Sequence, residues 1–131
     1  MGRKENPQVV KNIPDACKHH KICIRVKPEN IYDGDSINNV NIQVWPGIIL
    51  EEVDIRIARI NAPEIRTRNS EEKRRGYISK EYLASLISGK HVFVTLIGKG
   101  KYGRLVAEVE TVDGKNISDI MLAKGMAKEY K

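Results

Sequence analysis

Cysteine and long apolar runs are both scarce in this sequence of 131 residues. Two cysteines are too few for a disulfide scaffold, and 10 glycines with 5 prolines exclude a collagen-like chain. No stretch approaches the roughly 18 consecutive apolar residues that a membrane span needs, so we expect no membrane partner. Hydrophobic residues make up 40% of the chain, which at this length is enough to bury one core but not two.

Acidic residues are outnumbered by basic ones, 17 to 23, which gives a net charge of +6 and a pI near 9.4. This balance favours a polyanionic partner, with nucleic acid first. Residues 1–20 contain Pro7 and Pro14 and lack the apolar stretch of a secretory signal. They predict a loose arm before a single domain at 21–131. The compartment stays open: cytoplasmic as the sequence is written, secreted if a leader has been removed.

Four potential zinc ligands, Cys17, His19, His20 and Cys23, lie within seven residues. Paired zinc ligands usually sit on two separate turns, whereas Cys23 lies inside the alternating run 21–26. A packed thiol or one local disulfide is therefore favoured over a zinc site.

Alternation of apolar and polar residues predicts strands from Lys21 to the turn at Asp33–Asp35, then at 36–44, 53–60, 91–96 and 105–109. A helix is predicted from an N-cap at Ser70 to a stop at Gly89, with a shorter one at 117–124. The first three strands suit an antiparallel meander, and the order β-β-β-α-β-β-α is typical of a five-stranded OB-fold barrel, an α+β and mainly β class. The finer expectations are an apolar stripe at Tyr77, Ile78, Leu83, Leu86 and Ile87, an N-cap at Ser118, a C-cap at Gly125 and a turn at Trp45-Pro46-Gly47.

Three segments concentrate ionisable groups at strand ends, where a rigid scaffold commonly holds a site. Asp33 and Asp35 fall on one face and can converge on a hard cation, or simply close a hairpin through the Asp-Gly turn. Arg56 lies in an apolar strand, where its guanidinium needs carboxylate or phosphate oxygens. Asn61 and Glu64 follow it around Pro63, and a solvated strand edge is the competing interpretation.

The third segment, Gly98-Lys99-Gly100-Lys101-Tyr102-Gly103-Arg104, combines three positive charges with three glycines and no acid. Its backbone can approach a phosphate chain closely, while Tyr102 can stack on a base and Arg104 can pair with a phosphoryl oxygen. The plainer alternative is a flexible hairpin. A basic run at Arg66, Arg68, Lys73, Arg74 and Arg75 either extends a nucleic-acid track or forms a solvated helix face.

Taken in order, these motifs resemble the staphylococcal nuclease (thermonuclease) family. The resemblance runs from about Ile22 to Lys128 and rests on the motifs Asp33-Gly34-Asp35-Ser36, Arg56 five residues before Asn61-Ala62-Pro63-Glu64, Lys101-Tyr102-Gly103-Arg104, and Leu122-Ala123-Lys124-Gly125-Met126-Ala127.

The resemblance implies a Ca²⁺-dependent phosphodiesterase with one ion, acting as a monomer on DNA and RNA, with single or exposed strands preferred. Asp35 and Asn61 would be the side-chain metal ligands, Ala62 would offer its carbonyl, and Asp33 would lie behind them. It also implies catalytic roles for Glu64 at the attacking water and for Arg56 and Arg104 at the phosphate, with Lys101 and Tyr102 on the nucleotide.

This chain departs from the best-known member at Asn61, where that member has an aspartate ligand. Loss of one negative charge predicts weaker metal binding. The interval from Asp35 to Arg56 is also longer, with the excess in the hairpin at 44–49. A non-catalytic OB-fold nucleic-acid-binding module is the alternative function, but such modules usually lose several catalytic positions together, whereas only Asn61 differs here.

Overall fold

The computed structural model of the chain describes residues 21–130. The expected loose arm at 1–20, with Cys17, His19 and His20, lies outside the described residues. No helix in the described part of the chain is both long enough and apolar enough to cross a membrane. The strands are β1 (Lys21–Arg25), β2 (Ile31–Asp33), β3 (Ser36–Trp45), β4 (Ile48–Ile57), β5 (Ile60–Asn61), β6 (His91–Lys99), β7 (Leu105–Thr111) and β8 (Lys128–Glu129), and the helices are α1 (Ser70–Ile87) and α2 (Ile117–Ala123).

Six strands form one sheet in the order β1-β6-β7-β4-β3-β2, and β5 pairs with β8 in a separate two-stranded ribbon. All neighbours in the large sheet are antiparallel except β4 and β7. Strand β1 also contacts β3, so the sheet curls into a half-barrel. The mainly β, α+β class predicted from the sequence is confirmed at this level.

Alternate residues of the strands fill the inside of the curl. In β6 these are Val92, Val94 and Leu96, and Leu83 of α1 and Met121 of α2 are fully buried in the same cluster. Each of these strands therefore has one apolar face and one polar face, as period-2 patterning requires.

The first predicted strand is wrong in extent and in pairing. Its alternation is interrupted because Asn30 turns inward, accepting a hydrogen bond from the Lys27 N–H (2.9 Å) and donating one to the Asn38 carbonyl (2.9 Å). A short 3-10 turn at Pro28–Asn30 separates β1 from β2. The antiparallel meander consists of β2, β3 and β4, while β1 pairs with β6. The expected count of five strands is therefore not met.

The third predicted strand, 53–60, begins too late. The chain turns at Pro46–Gly47, within the expected Trp45–Gly47 turn, and β4 starts at Ile48. A bulge places both Glu51 and Glu52 between the pairs Ile42–Leu50 and Val40–Val53, and the φ of Glu52 is 54°. The bulge changes the phase of the apolar–polar alternation, so the first half of β4 does not continue the period-2 pattern of the second half.

Both helix N-caps lie earlier than predicted. The side-chain oxygen of Asn69, not Ser70, accepts from the Glu72 N–H at 2.9 Å, and that of Asn116, not Ser118, accepts from the Asp119 N–H at 3.0 Å. Each asparagine has the extended backbone that a cap needs. Ser118 is buried inside α2 and donates to the Ala58 carbonyl at 2.6 Å. The predicted ends at Gly89 and Gly125 follow the two helices, with φ of 73° and 70°.

The predicted apolar stripe of α1 is partly wrong, because Tyr77 and Ile78 are 47% and 41% exposed. The buried face includes two small residues, Gly76 and Ser79. A Cβ on Gly34 would lie 2.0 Å from the Ser79 hydroxyl oxygen, and one on Gly76 would lie 2.9 Å from the Glu64 carbonyl oxygen. Small residues therefore let α1 touch the β2–β3 turn and the loop after β5.

The Cys23 side chain is exposed on β1. The expectation of a packed thiol is therefore wrong, because in this strand the odd-numbered positions face outward. The pairing of Cys17 lies outside the described residues.

Candidate active site

The turn between β2 and β3 presents Asp35 to the end of β4. Its carboxylate is buried and accepts hydrogen bonds from the Ser36 hydroxyl (2.9 Å) and from the Ala62 N–H (2.8 Å). The Asp35 carbonyl accepts from the Ile57 N–H at 2.9 Å. These bonds tie the turn to the loop that follows β5, so the Asp35 side chain has little freedom.

Asp33 supports that turn from behind, since its Oδ1 accepts from the Asp35 N–H at 3.1 Å. Burial, together with the hydrogen bond and charge of Asp35, raises the pKa of Asp33 to about 7. Because this pKa is raised, ionising Asp33 destabilises the fold. The free energy of unfolding is therefore expected to fall as the pH rises from 3.8, the ordinary pKa of the group, through about 7. A cation beside the two carboxylates would remove part of that cost.

Arg56 joins the Asp35 carboxylate to Asn61. One guanidinium nitrogen donates to the Ile60 carbonyl (3.0 Å) and lies 3.5 Å from Asp35 Oδ2. The other donates to the Asn61 side-chain oxygen at 3.2 Å. The guanidinium carbon also lies 4.5 Å from the centre of the Tyr130 ring. Three of the residues predicted from sequence, Asp35, Arg56 and Asn61, thus meet at the end of β4.

A cavity of about 440 Å³, the phosphate cavity, opens beside Arg56. Arg104 and Lys101 also line it, so the two predicted arginines share one space although 48 positions separate them. Its lining is Arg56, Ile57, Ala58, Arg59, Lys99, Gly100, Lys101, Arg104, Val106 and Tyr130.

The remaining predicted residues lie at the margin of this arrangement. Tyr102 is 92% exposed, on a turn where its φ is 60°. Ala62 is buried, whereas Glu64 is exposed and its N–H donates to Glu72 Oε2 at 3.2 Å. Within residues 21–130 the Glu64 carboxylate makes no hydrogen bond to the Asp35, Arg56 or Asn61 group.

Sequence reasoning missed Tyr130 and Arg59. Tyr130 follows β8, and its N–H donates to the Arg59 carbonyl at 2.9 Å, which brings its ring to Arg56. Arg59 occupies the β4–β5 turn with a φ of 73° and donates to Glu108 (2.7 Å) and Asp119 (3.1 Å). No local pattern marks these contacts, because their partners are distant in sequence.

The donor chemistry of the site suits a hard cation. Carboxylates of Asp33 and Asp35, the amide oxygen of Asn61 and the carbonyl of Ala62 are oxygen donors of the kind that Ca²⁺ takes. No group of three or more His, Cys, Asp or Glu side chains that could hold a metal occurs in the described region. An ion at this place would have one or two carboxylate ligands, with neutral oxygens completing its shell.

Comparison with known proteins gives one family and several relatives. A family model described as staphylococcal nuclease homologue matches residues 54–131. Two uncharacterized endonucleases, of Escherichia coli and of its O157:H7 strain, are each 31% identical over 101 residues, which is 77% of this chain. A probable endonuclease LCL3 of Schizophyllum commune is 31% identical over 90 residues, which is 62% of this chain and 31% of that relative. This chain spans 58% of the length of the Escherichia coli relatives.

Proposed function

This chain belongs to the staphylococcal nuclease family, and on that premise we propose that it is a Ca²⁺-dependent nuclease that hydrolyses DNA and RNA with little sequence specificity. The names of its relatives support a nuclease. The Ca²⁺ ion, the DNA and RNA substrates and the roles of individual residues belong to the proposal.

A buried carboxylate, an amide oxygen and a guanidinium meet beside a cationic cavity, and this arrangement is the main support for the proposal. Asp35 and Asn61 both lie within contact distance of Arg56, and Arg56 lines the same cavity as Arg104. Phosphodiester hydrolysis builds negative charge on the phosphoryl oxygens, and forked guanidiniums are well suited to bind that charge. A site of this composition is therefore suited to phosphoryl chemistry.

Asp35, Asn61 and the Ala62 carbonyl would hold a single Ca²⁺, with Asp33 behind them. When bound, the ion would neutralise charge and polarise the phosphoryl group. The Asp35 carboxylate is already aligned by the Ala62 N–H and the Ser36 hydroxyl, so its position does not depend on the ion.

The chain's other residues would bind the substrate and move a proton. Arg56 gives two donors to the protein, at Ile60 and Asn61, and also pairs with the Asp35 carboxylate, which leaves at most three donors for phosphate. Arg104 forms no side-chain hydrogen bond within the described residues, so its guanidinium is free to bind the phosphate through a bidentate pair of donors. Glu64 would orient or deprotonate the attacking water. Lys101 and Tyr102 would contact the backbone and base faces without reading sequence.

Replacing Asn61 with aspartate tests the assignment of the metal ligands. Asn61→Asp is expected to tighten Ca²⁺ binding about tenfold, or about 1.4 kcal/mol, because ligand charge is a main control on Ca²⁺ affinity. The gain stays modest because Asn61 is exposed and beside Arg56, which would pair with the new carboxylate. Calorimetric titration of both proteins measures the change. Equal or weaker binding in the variant would exclude Asn61 as a ligand.

The substrate class is tested with supercoiled plasmid, a single-stranded oligonucleotide and an RNA of the same sequence. We expect all three to be cleaved in Ca²⁺ buffer, the single strands faster than the duplex. Affinity should fall as salt rises, because the site contacts phosphates. Cleavage confined to one sugar type would overturn the sugar tolerance, and affinity independent of salt would overturn phosphate-dominated binding.

A further inference from the structure

A second cavity of about 390 Å³, the Asn61 groove, lies next to the phosphate cavity. The two cavities border the β5–β8 ribbon, with Asn61 and Lys128 in the groove and Tyr130 in the phosphate cavity. Asn61 in one accepts a hydrogen bond from Arg56 in the other. Its lining includes Asn61, Glu72, Arg75, Ile78, Met126 and Lys128.

The charge of the groove favours an anion. The side chains of Arg75 and Lys128 are exposed, and neither makes a hydrogen bond or an ion pair within residues 21–130. Arg74 and, more weakly, Arg75 hold the pKa of the exposed Glu71 carboxyl below its ordinary value. The one acid in the lining, Glu72, accepts from the Glu64 N–H and belongs to the neighbouring loop contact. Two cations without a hydrogen-bonded side-chain partner within residues 21–130 therefore line the groove, against one carboxylate that already accepts a hydrogen bond from the protein.

The groove also has an apolar wall. Ile78 is 41% exposed although it lies in the middle of α1, and Met126 is half-buried beside it in the lining. A free phosphate ion or an acidic side chain would leave this wall unused. A nucleotide would use both parts, because it carries one phosphate and a flat, largely apolar base. The volume is within the range of about 300–1,000 Å³ that small-molecule sites occupy.

We propose that the Asn61 groove binds the adjacent nucleotide of the substrate strand, with its phosphate at Arg75 and Lys128 and its base against Ile78 and Met126. This inference rests on the proposed function. The strand then runs from Lys101 and Arg104, past the cleavage centre at Asn61, to the second turn of α1. The groove extends the site by one nucleotide and gives longer strands an advantage over a dinucleotide.

The basic run on α1 supplies a matched pair of variants. Arg74 is committed to Glu71 at 2.6 Å and does not line the groove, while Arg75 does. Both side chains are exposed, and either alanine substitution removes one positive charge from the same helix turn. A difference between the two variants therefore reports on the groove and not on the net charge of the protein.

The test compares cleavage of octathymidylate with that of thymidylyl-thymidine, which has no second phosphate. Arg75→Ala is expected to raise the KM of octathymidylate about fivefold to tenfold relative to that of the dinucleotide, with kcat for octathymidylate unchanged. The slope of log affinity against log salt should fall by about 0.7 for the single strand. Arg74→Ala should leave the ratio of the two KM values and the slope as in the wild type.

Two results would overturn the proposal: equal effects of Arg75→Ala and Arg74→Ala, or an equal rise in KM for both substrates. Lys128→Ala is a second test variant, and we expect it also to raise the KM of octathymidylate relative to that of the dinucleotide. Failure of the wild type to cleave octathymidylate at all would instead contradict the proposed function. The two failures are therefore distinguishable in one set of assays.

Discussion

Arg104→Lys is expected to lower kcat by about two to three orders of magnitude while leaving the stability of the fold within about 0.5 kcal/mol. Lysine keeps the positive charge but loses the planar fork that can bind two phosphoryl oxygens at once. The Arg104 side chain lines the phosphate cavity and makes no hydrogen bond within residues 21–130, so its loss should not disturb the fold.

Steady-state kinetics and thermal unfolding of the same preparations measure the two parts of this prediction. Arg25→Lys is the matched control, because Arg25 is exposed on β1 and outside the lining of the phosphate cavity. A kcat within a few-fold of the wild type would remove Arg104 from the chemical step. A large drop in stability would instead make Arg104 a structural residue.

Gly34→Ala is expected to destabilise the protein by about 3 kcal/mol, the upper end for overpacking. The new Cβ would lie 2.0 Å from the Ser79 hydroxyl oxygen and 2.8 Å from the Ala62 Cβ. Ser79 cannot move freely, because its hydroxyl donates to the Met126 carbonyl at 2.8 Å. The substitution therefore pushes α1, the β2–β3 turn and the loop after β5 apart at once.

Denaturant unfolding gives the free energy of each variant. Gly98→Ala is the control, since a Cβ there meets no atom within 4 Å. Adding Ser79→Gly to Gly34→Ala should recover part of the loss, because it removes two of the three close contacts but leaves Ala62. If Gly34→Ala were as stable as Gly98→Ala, the close approach of α1 to the turn would be wrong.

The parts of the fold that local patterns encode were predictable from the sequence. Both helices are followed, two residues after their last residue, by a glycine with positive φ, and the alternation of β6 and β7 places their apolar residues inside. The strand break before β2 was not predictable, because it depends on the Asn30 side chain reaching the Asn38 carbonyl. The buried face of α1 depends on Gly34, 45 positions before Ser79, and no periodicity reports such a contact.

The candidate site was also predictable only in part. Residue types at strand ends pointed to Asp35, Arg56 and Asn61, which the sheet brings together, and to Arg104, which shares a cavity with Arg56. The contact of Tyr130 with Arg56 could not be predicted from the sequence, because the ring reaches Arg56 only through the pairing of β5 with β8. The sequence showed Arg75 only as part of a basic run. Arg75 can be distinguished from Arg74 only when it is known which face of α1 borders Asn61.

The most direct test of a cation-dependent nuclease centre at Asp35 is the cleavage rate of a single-stranded oligonucleotide as a function of free Ca²⁺. Wild type, Asp35→Asn and the exposed control Glu29→Gln are purified in parallel and assayed with chelator, then with Ca²⁺ restored. We expect no cleavage in chelator, full recovery on adding Ca²⁺ for the wild type and Glu29→Gln, and a rate at least about 100-fold lower for Asp35→Asn. Chelator-resistant cleavage, or equal rates in wild type and Asp35→Asn, would contradict this account. Binding of the oligonucleotide without cleavage under any condition would identify the domain as a non-catalytic nucleic-acid-binding module.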